Sequence, residues 1–371
     1  MPGPARDFII TPEVESITVS LEPAQNAFQS LLLLIKADEM SGLGEWVTRT
    51  WAALTPKERE LHRLVIIGFY YALIPGQSWP SFPAYLDHLA HCDPFALREK
   101  MLRVYAKFPP LKDGQCPEPG AEPLPIDVET VLGSLDAYLA FLRERFGDEI
   151  LDVALETRAF PYVIDPPAMQ ELVVSHLRRM WDEFLAPEWA RVEPMLQDAV
   201  QAFQQVDMSE MSRLEAARFI TGQPLKEEKW EHSFKSAERV IFVPSAHYGP
   251  YQGQLWSDAM LWLLFGARLP AGSQFQAPDL SRAEILVRLS ALDDDNRLRI
   301  MRLIGDKGEL RSQEVMALLD LSQSAASRHL KQLSAVGYLT ERRCNGAKCY
   351  DLDSEHIKET LQAISAFLLG S

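Results

Sequence analysis

Residues 320–336 read D-L-S-Q-S-A-A-S-R-H-L-K-Q-L-S-A-V. Helical spacing puts Ala325, Ala326, Leu330 and Leu333 on an inward side, and Gln323, Ser324, Ser327, Arg328, Lys331 and Gln332 on an exposed side. Ser322 precedes the run as an N-cap and Gly337 stops it. Small hydroxyl and amide groups at a helix N-terminus let the chain approach a phosphate or a base edge closely. The Arg328 guanidinium has the fork geometry for a bidentate pair with guanine. Just beyond, Arg342, Arg343 and Lys348 surround Asn345-Gly346, a strong hairpin signal, and could track a phosphate backbone or minor groove. The chemistry these groups offer is the reading of double-stranded DNA.

The neighbouring elements fit that task. Residues Arg282–Leu292 place Ile285, Leu286, Leu289 and Leu292 on one helical face. Asp293-Asp294-Asp295-Asn296 then caps a helix over 297–304, with Leu298, Met301 and Ile304 inward and Gly305 and Gly308 ending it. A short helix follows over Ser312–Leu319, then a tight turn at Asp320-Leu321-Ser322, then the helix over 323–336. Strands over 338–344 and 348–352 form a hairpin, and an amphipathic helix over Ser354–Leu369 ends the sequence. Helix, short helix, turn, helix and hairpin in this order describe a winged helix-turn-helix.

The residues of this region resemble a known family. Residues 292–300, LDDDNRLRI, are similar to the L-x-D-x-x-R-L-R-I opening of the ArsR-type winged-helix repressors. Residues 321–333, LSQSAASRHLKQL, resemble that family's recognition helix, and 335–339, AVGYL, resemble its exit. The resemblance covers about residues 283–369. It implies a symmetric homodimer, operator binding in the major groove by the second helix of the pair, and repression relieved by an effector. Two features depart from the family. Asp320 stands where glycine is common, although aspartate also tolerates the left-handed conformation. The metal-sensing patterns are missing: the Ser312–Leu319 helix has no cysteine, and the last helix has only His356. DNA binding carries over; metal sensing does not, and no metal or other cofactor is expected.

The charge distribution agrees. The 371 residues carry 52 acidic and 37 basic side chains, a formal net charge of −15 that by itself argues against a nucleic-acid partner. Residues 280–371 hold 13 of each sign, so the whole excess lies upstream. Residues 269–279, LPAGSQFQAPD, read as a linker. We expect a 1–279 sensor or oligomerisation domain, mostly helical with a small sheet, followed by a 280–371 DNA-binding domain: a mainly α, α+β protein. Helical periodicity marks 24–35, 57–74, 84–91, Pro94–Lys107, 127–146, 168–186, 187–205 and 209–221. Strands are expected over 15–21, 239–243 and 259–267, joined in one sheet. Residues 109–126 hold six prolines in 18 positions and read as a surface excursion.

Four cysteines are too few and scattered for a disulfide framework. No apolar leader opens the sequence, and prolines 75, 80 and 83 break the uncharged stretch 64–86 before it could span a membrane. A cytoplasmic protein without membrane attachment is expected. Other residue sets invite chemistry and have plainer readings. Asp87, His88, His91 and Cys92 could hold a metal or be a solvated helix end. Cys344 and Cys349 face each other across the wing if its loop has four residues; with a two-residue turn, Cys344 faces Ala347. Ser245, His247 and Tyr248 follow a strand, but no G-x-S-x-G motif or acid partner accompanies them. Trp46, Trp51, Trp181, Phe184, Trp189 and Phe203 could line a small-molecule effector pocket in the N-terminal domain or simply pack its core. The expected function is a dimeric transcriptional repressor. The competing readings are an enzyme or an oligomerisation module carrying a regulatory winged helix.

Overall fold

The structure is a computed structural model and describes residues 17–108, 126–223, 225, 227–257, 259–270, 282–344 and 347–369. Most of the expected linker and proline-rich excursion, and the Asn345-Gly346 turn, lie outside these residues.

Among the described residues, seven strands form two sheets. In the N-terminal region β1 (Ile17–Val19), β2 (Arg239–Ser245), β3 (Gln252–Ser257) and β4 (Met260–Gly266) lie in the order β1-β2-β4-β3. β1, β2 and β4 are parallel, and β3 closes the edge antiparallel to β4. Three of the four were expected as strands joined in one sheet. β3 was not, because QGQLWS lacks the β-branched alternation of a strand.

β2 and β4 are buried on both faces, as parallel central strands are. Their side chains alternate between two cores. Ile241, Val243, Trp262 and Leu264 join the main helical core, with Phe28, Leu34, Phe69, Tyr138 and Leu177. Val240, Phe242, Leu261, Leu263 and Phe265 face a second core with Phe203, Ile220, Trp230 and Phe234. Each fully buried side chain of this size stabilises by roughly 1.5–3 kcal/mol. The sheet thus ties the first helix, Pro23–Ile35, to residues two hundred positions later. Asn26 Nδ2 donates to the Pro244 carbonyl at 2.7 Å, and Ser20 N to that of Phe242 at 3.0 Å.

Several helix starts behave as their residues dictate. Thr55 forms a reciprocal capping box with Glu58, and Asp165 accepts from Ala168 N. Two expected helices merge: Pro166–Met180 and Ala186–Gln204 are continuous through a π-helical turn at Trp181–Leu185. Pro187 has no N–H to continue the ordinary ladder, so the chain widens there instead of breaking. The expected helix over 57–74 divides, with a π segment at Leu64–Gly68 and a break at Phe69. Helices over Glu45–Ala53, Val153–Val163 and Glu227–Ser236 were not anticipated.

The C-terminal region has its own core of Ile300, Ile304, Val315, Leu330, Leu333, Tyr338 and Leu339. Its three-stranded sheet has the order β5-β7-β6, with β5 (Leu310–Arg311), β6 (Leu339–Cys344) and β7 (Ala347–Leu352). The mainly α, α+β expectation therefore stands. One inward assignment does not: Leu298 is exposed, and on the apolar face of the preceding helix Leu286 and Leu289 are exposed as well. Arg297 takes the interior place instead, its guanidinium donating to the Ala291 and Ser290 carbonyls at 2.7 and 2.8 Å. Those acceptors satisfy the end of the Arg282–Leu292 helix, which explains a buried cation here. Gly305 does not interrupt its helix, which runs from Asp295 to Lys307 and stops at Gly308.

Candidate nucleic-acid interface

The Gln323–Ala335 helix begins where its residues say it should. Asp320 ends the Ser312–Leu319 helix at φ 55°, the left-handed conformation. Ser322 then accepts from Ala325 N at 3.2 Å, and its hydroxyl lies 3.2 Å from that of Ser324. Ala326, Leu330 and Leu333 are buried, and Gly337 at φ 84° turns the chain into the wing. Ser322, Gln323, Ser324, Ser327, Arg328 and Lys331 are exposed on one connected surface. His329 is buried beside Asp294, 3.8 Å away, and burial lowers its pKa.

Gln332 departs from the expectation. It is only 1% exposed, and both ends of its amide lack a hydrogen-bond partner. The N-terminal region covers it: a Cβ on Gly42 would stand 2.7 Å from Gln332 Nε2. Gly42 is at φ 83°, and its carbonyl in turn leaves no room for a side chain at Gly249. Lys331 is exposed, but its ammonium lies over the ring of Tyr251, 5.7 Å from the centroid. The N-terminal half of the recognition helix is open while its C-terminal half meets the other region. No local signal announces this meeting, because Gly42 and Tyr251 are remote in sequence.

The wing also divides the cations that sequence had grouped. Register pairs Arg343 with Lys348, and Arg342 with Cys349, so the two sets occupy opposite faces of the hairpin. Arg343 is exposed, and Lys348 Nζ reaches Glu341 at 3.0 Å. On the other face Arg342 forms a two-point pair with Glu309, its Nη2 2.6 Å from Oε2. That pair holds Glu309 below, and Arg342 above, its ordinary pKa. Both wing pairs are on the surface, where salt and competing phosphates readily exchange them. Cys344 is opposite Ala347, as a two-residue turn requires.

The remaining sequence candidates separate. Asp87 pairs with Arg178, His91 binds the Asp87 carbonyl, His88 packs tilted against Trp79 and Cys92 meets Gln170. They do not converge. Trp46, Trp51, Trp189 and Phe203 are buried in the cores, with Trp181 and Phe184 packed against them. Ser245 is buried at the end of β2, and the acid partner that sequence did not reveal is Glu188. His247 Nε2 lies 3.3 Å from it, and His247 Nδ1 lies 2.7 Å from Ser30 Oγ. Burial works against ionisation of Glu188, but hydrogen bonds from His247 and Arg191 overcome it and hold its pKa at about 2. Ser30 donates its proton to the Asn26 carbonyl at 2.8 Å, and the residue is 1% exposed. The serine is therefore an acceptor from His247, closed off from any substrate. A cleft of about 620 Å³, with Ser245 in its wall, lies between the two regions. The ends of β2 and β4, Met195, Tyr251 and Arg191 face Leu286, Arg288, Gly337 and His356 across it.

Winged helix, capped recognition helix and cationic wing together define the class: a DNA-binding domain of the transcriptional-regulator type. Comparison with known proteins agrees. The pattern of the "Bacterial regulatory protein, arsR family" matches residues 294–341. An arsenic resistance transcriptional regulator of Pseudomonas putida is 39% identical over 85 residues, covering 21% of this chain and 74% of that protein. The transcriptional activator HlyU of Vibrio cholerae is 31% identical over 94 residues, 25% of this chain and 86% of its own length. A cadmium resistance regulatory protein CadC homolog of Staphylococcus aureus is 35% identical over 78 residues, 21% of this chain and 63% of its own length. The chain belongs to the arsR family, through a C-terminal segment that accounts for about a quarter of it. No described helix is long and apolar enough to cross a membrane.

Proposed function

We propose that the protein is a cytoplasmic, homodimeric repressor that binds operator DNA with its C-terminal domain, residues 280–371. The N-terminal domain, with the linker at 269–279, sets whether the recognition helix is free to act. The observation that carries this reading is the open N-terminal half of the recognition helix. Gln323, Ser324, Ser327 and Arg328 are presented there without a covering element. In helix-turn-helix proteins that end meets base edges. Lys331, Arg342, Arg343 and Lys348 hold phosphates in this reading, with Ser322 at the helix N-terminus, and Gln332 becomes available when the N-terminal region moves away.

The dimer reading rests on the two outer helices of the winged helix. Arg282–Leu292 and Ser354–Leu369 pack on each other and leave Leu289, Leu361, Phe367 and Leu368 exposed. A second copy would cover such apolar side chains. The cleft between the regions is where an effector would act on both at once. The closed Ser30 and its donation to Asn26 favour a regulator over a hydrolase. Native mass spectrometry of the full chain, alone and with a duplex from its own promoter region, tests this reading. A dimer that takes up one duplex is expected. A monomer that ignores the duplex would overturn it.

A further inference from the structure

The face of the wing that carries Arg342 also carries two thiols. β5 lies beside β7, with Arg311 opposite Cys349, so Glu309 arrives next to Cys349 from 40 positions upstream. Cys344 lies diagonally across the hairpin from Cys349 on the same face. Cys344 Sγ is 3.6 Å from Glu309 Oε1, and the carboxylate oxygen and both sulfurs lie within 4.8 Å of one another. Among the described residues, no other group of three such side chains comes this close. Cys349 is buried, while Cys344 and Glu309 are half-buried, so the cluster has one sealed wall and one opening.

We propose that Glu309, Cys344 and Cys349 form a binding site for a thiophilic divalent cation of the zinc type. Zinc bonds of ~2.3 Å to sulfur and ~2.0–2.2 Å to oxygen imply ligand–ligand separations of roughly 3.5–3.8 Å in a tetrahedron. The three atoms need only a modest contraction to reach them, and strands on a shared sheet limit their motion. Binding releases one proton from each thiol to solvent and leaves the fourth position to water. Glu309 then exchanges Arg342 for the cation. The guanidinium, no longer held in its two-point pair, is free to meet phosphate. The cation site would thus set the number of wing contacts, a consequence that rests on the DNA-binding reading above; the cation site itself does not.

The experiment titrates the full, reduced chain with Co²⁺ in the absence of oxygen. Thiolate-to-cobalt charge-transfer bands and tetrahedral d–d bands are expected, saturating at one equivalent per chain and displaced by Zn²⁺. Cys344→Ser should abolish them, and Glu309→Gln should weaken binding about tenfold or more. A variant lacking Cys92 and Cys116 should keep them. Circular dichroism of Cys344→Ser, in which the replaced group is only half-buried, checks that the fold survives. Absent bands in the wild type, or bands that persist in Cys344→Ser, would overturn the site. Separately, Zn²⁺ should steepen the salt dependence of duplex binding by about one unit in the wild type and not in Arg342→Ala. An unchanged slope with intact bands would overturn only the coupling to Arg342.

Discussion

In the proposed interface Arg328 reads a base and Lys348 holds a phosphate, and replacing each should separate the two roles. Arg328 projects from the open half of the recognition helix, near its capped start. Arg328→Ala should cost about 1–3 kcal/mol and relax specificity at one base position. Equal losses on operator and random duplex would refute a base-reading role. Lys348 is tied to Glu341, a pair that phosphate can replace. Lys348→Ala should weaken every duplex alike and lower the salt slope by about 1. A slope equal to that of the wild type would remove Lys348 from the phosphate contacts. The exposed placement of both residues, on the helix and on the wing, was legible in sequence because cap, periodicity and turn are local signals. Gln332 was not, because nothing within its own helix encodes the loop at Gly42 that buries it. Arg342 was legible as a wing cation, but its partner Glu309 lies before β5, a strand too short to announce itself.

Among the helices, burial of titratable groups governs stability in acid. His62 Nδ1 and His176 Nε2 lie 2.9 Å apart, joining the Pro56–Arg63 and Pro166–Met180 helices. Burial lowers His62 to about 4, and burial with the neighbouring His62 lowers His176 to about 3. Below pH 6.5 the unfolded chain gains two protons that the native pair refuses, so stability falls with pH. Burial raises Glu156 to about 7, and there the sign reverses: the native carboxyl is protonated between pH 7 and 4.5 while the unfolded one is not. For these three groups the net difference from pH 6.5 to 4.5 is one proton, a loss of about 1.4 kcal/mol per pH unit, and the lowered His329 and His356 add to it in the same direction. Below pH 4.5 the depressed Glu188 adds to the loss. Urea unfolding at several pH values should follow this course. Glu156→Gln should steepen it between pH 6.5 and 4.5, and His176→Asn should flatten it. A flat wild-type profile across that window would contradict the assignment. The helices themselves were largely visible as periodicity. The π turn before Pro187 was not, because periodicity locates an apolar face rather than the ladder beneath it.

On the scale of the whole molecule, the proposed function rests on two surfaces, one for pairing of copies and one for restraint of the recognition helix. If the proposed dimer forms through the outer helices, Leu361→Glu should give a monomer by sedimentation and abolish tight duplex binding, while leaving circular dichroism unchanged. A dimer that persists would relocate the interface. Tyr251 sets the second surface by holding the Lys331 ammonium, a contact worth ~0.5–2 kcal/mol. Tyr251→Leu should strengthen duplex binding by roughly 2–30-fold, read by fluorescence anisotropy. Binding no tighter than that of the wild type would count against the contact as a restraint. The overall division into an acidic helical region and a neutral winged helix was legible from charge. The way the two meet was not, since it depends on surface shape.

The covered end of the recognition helix also has a consequence for thresholds. A contact within one chain does not weaken on dilution, whereas capture of a duplex does. Under the proposed function it would therefore handicap operator and random sequence by the same factor, leaving their ratio intact while raising the protein concentration at which either fills. Chains that differ only at positions 42 or 251 would read the same sequences and respond at different cellular doses. In that reading the buried Gln332, with neither end of its amide paired, would lessen the strength of the contact.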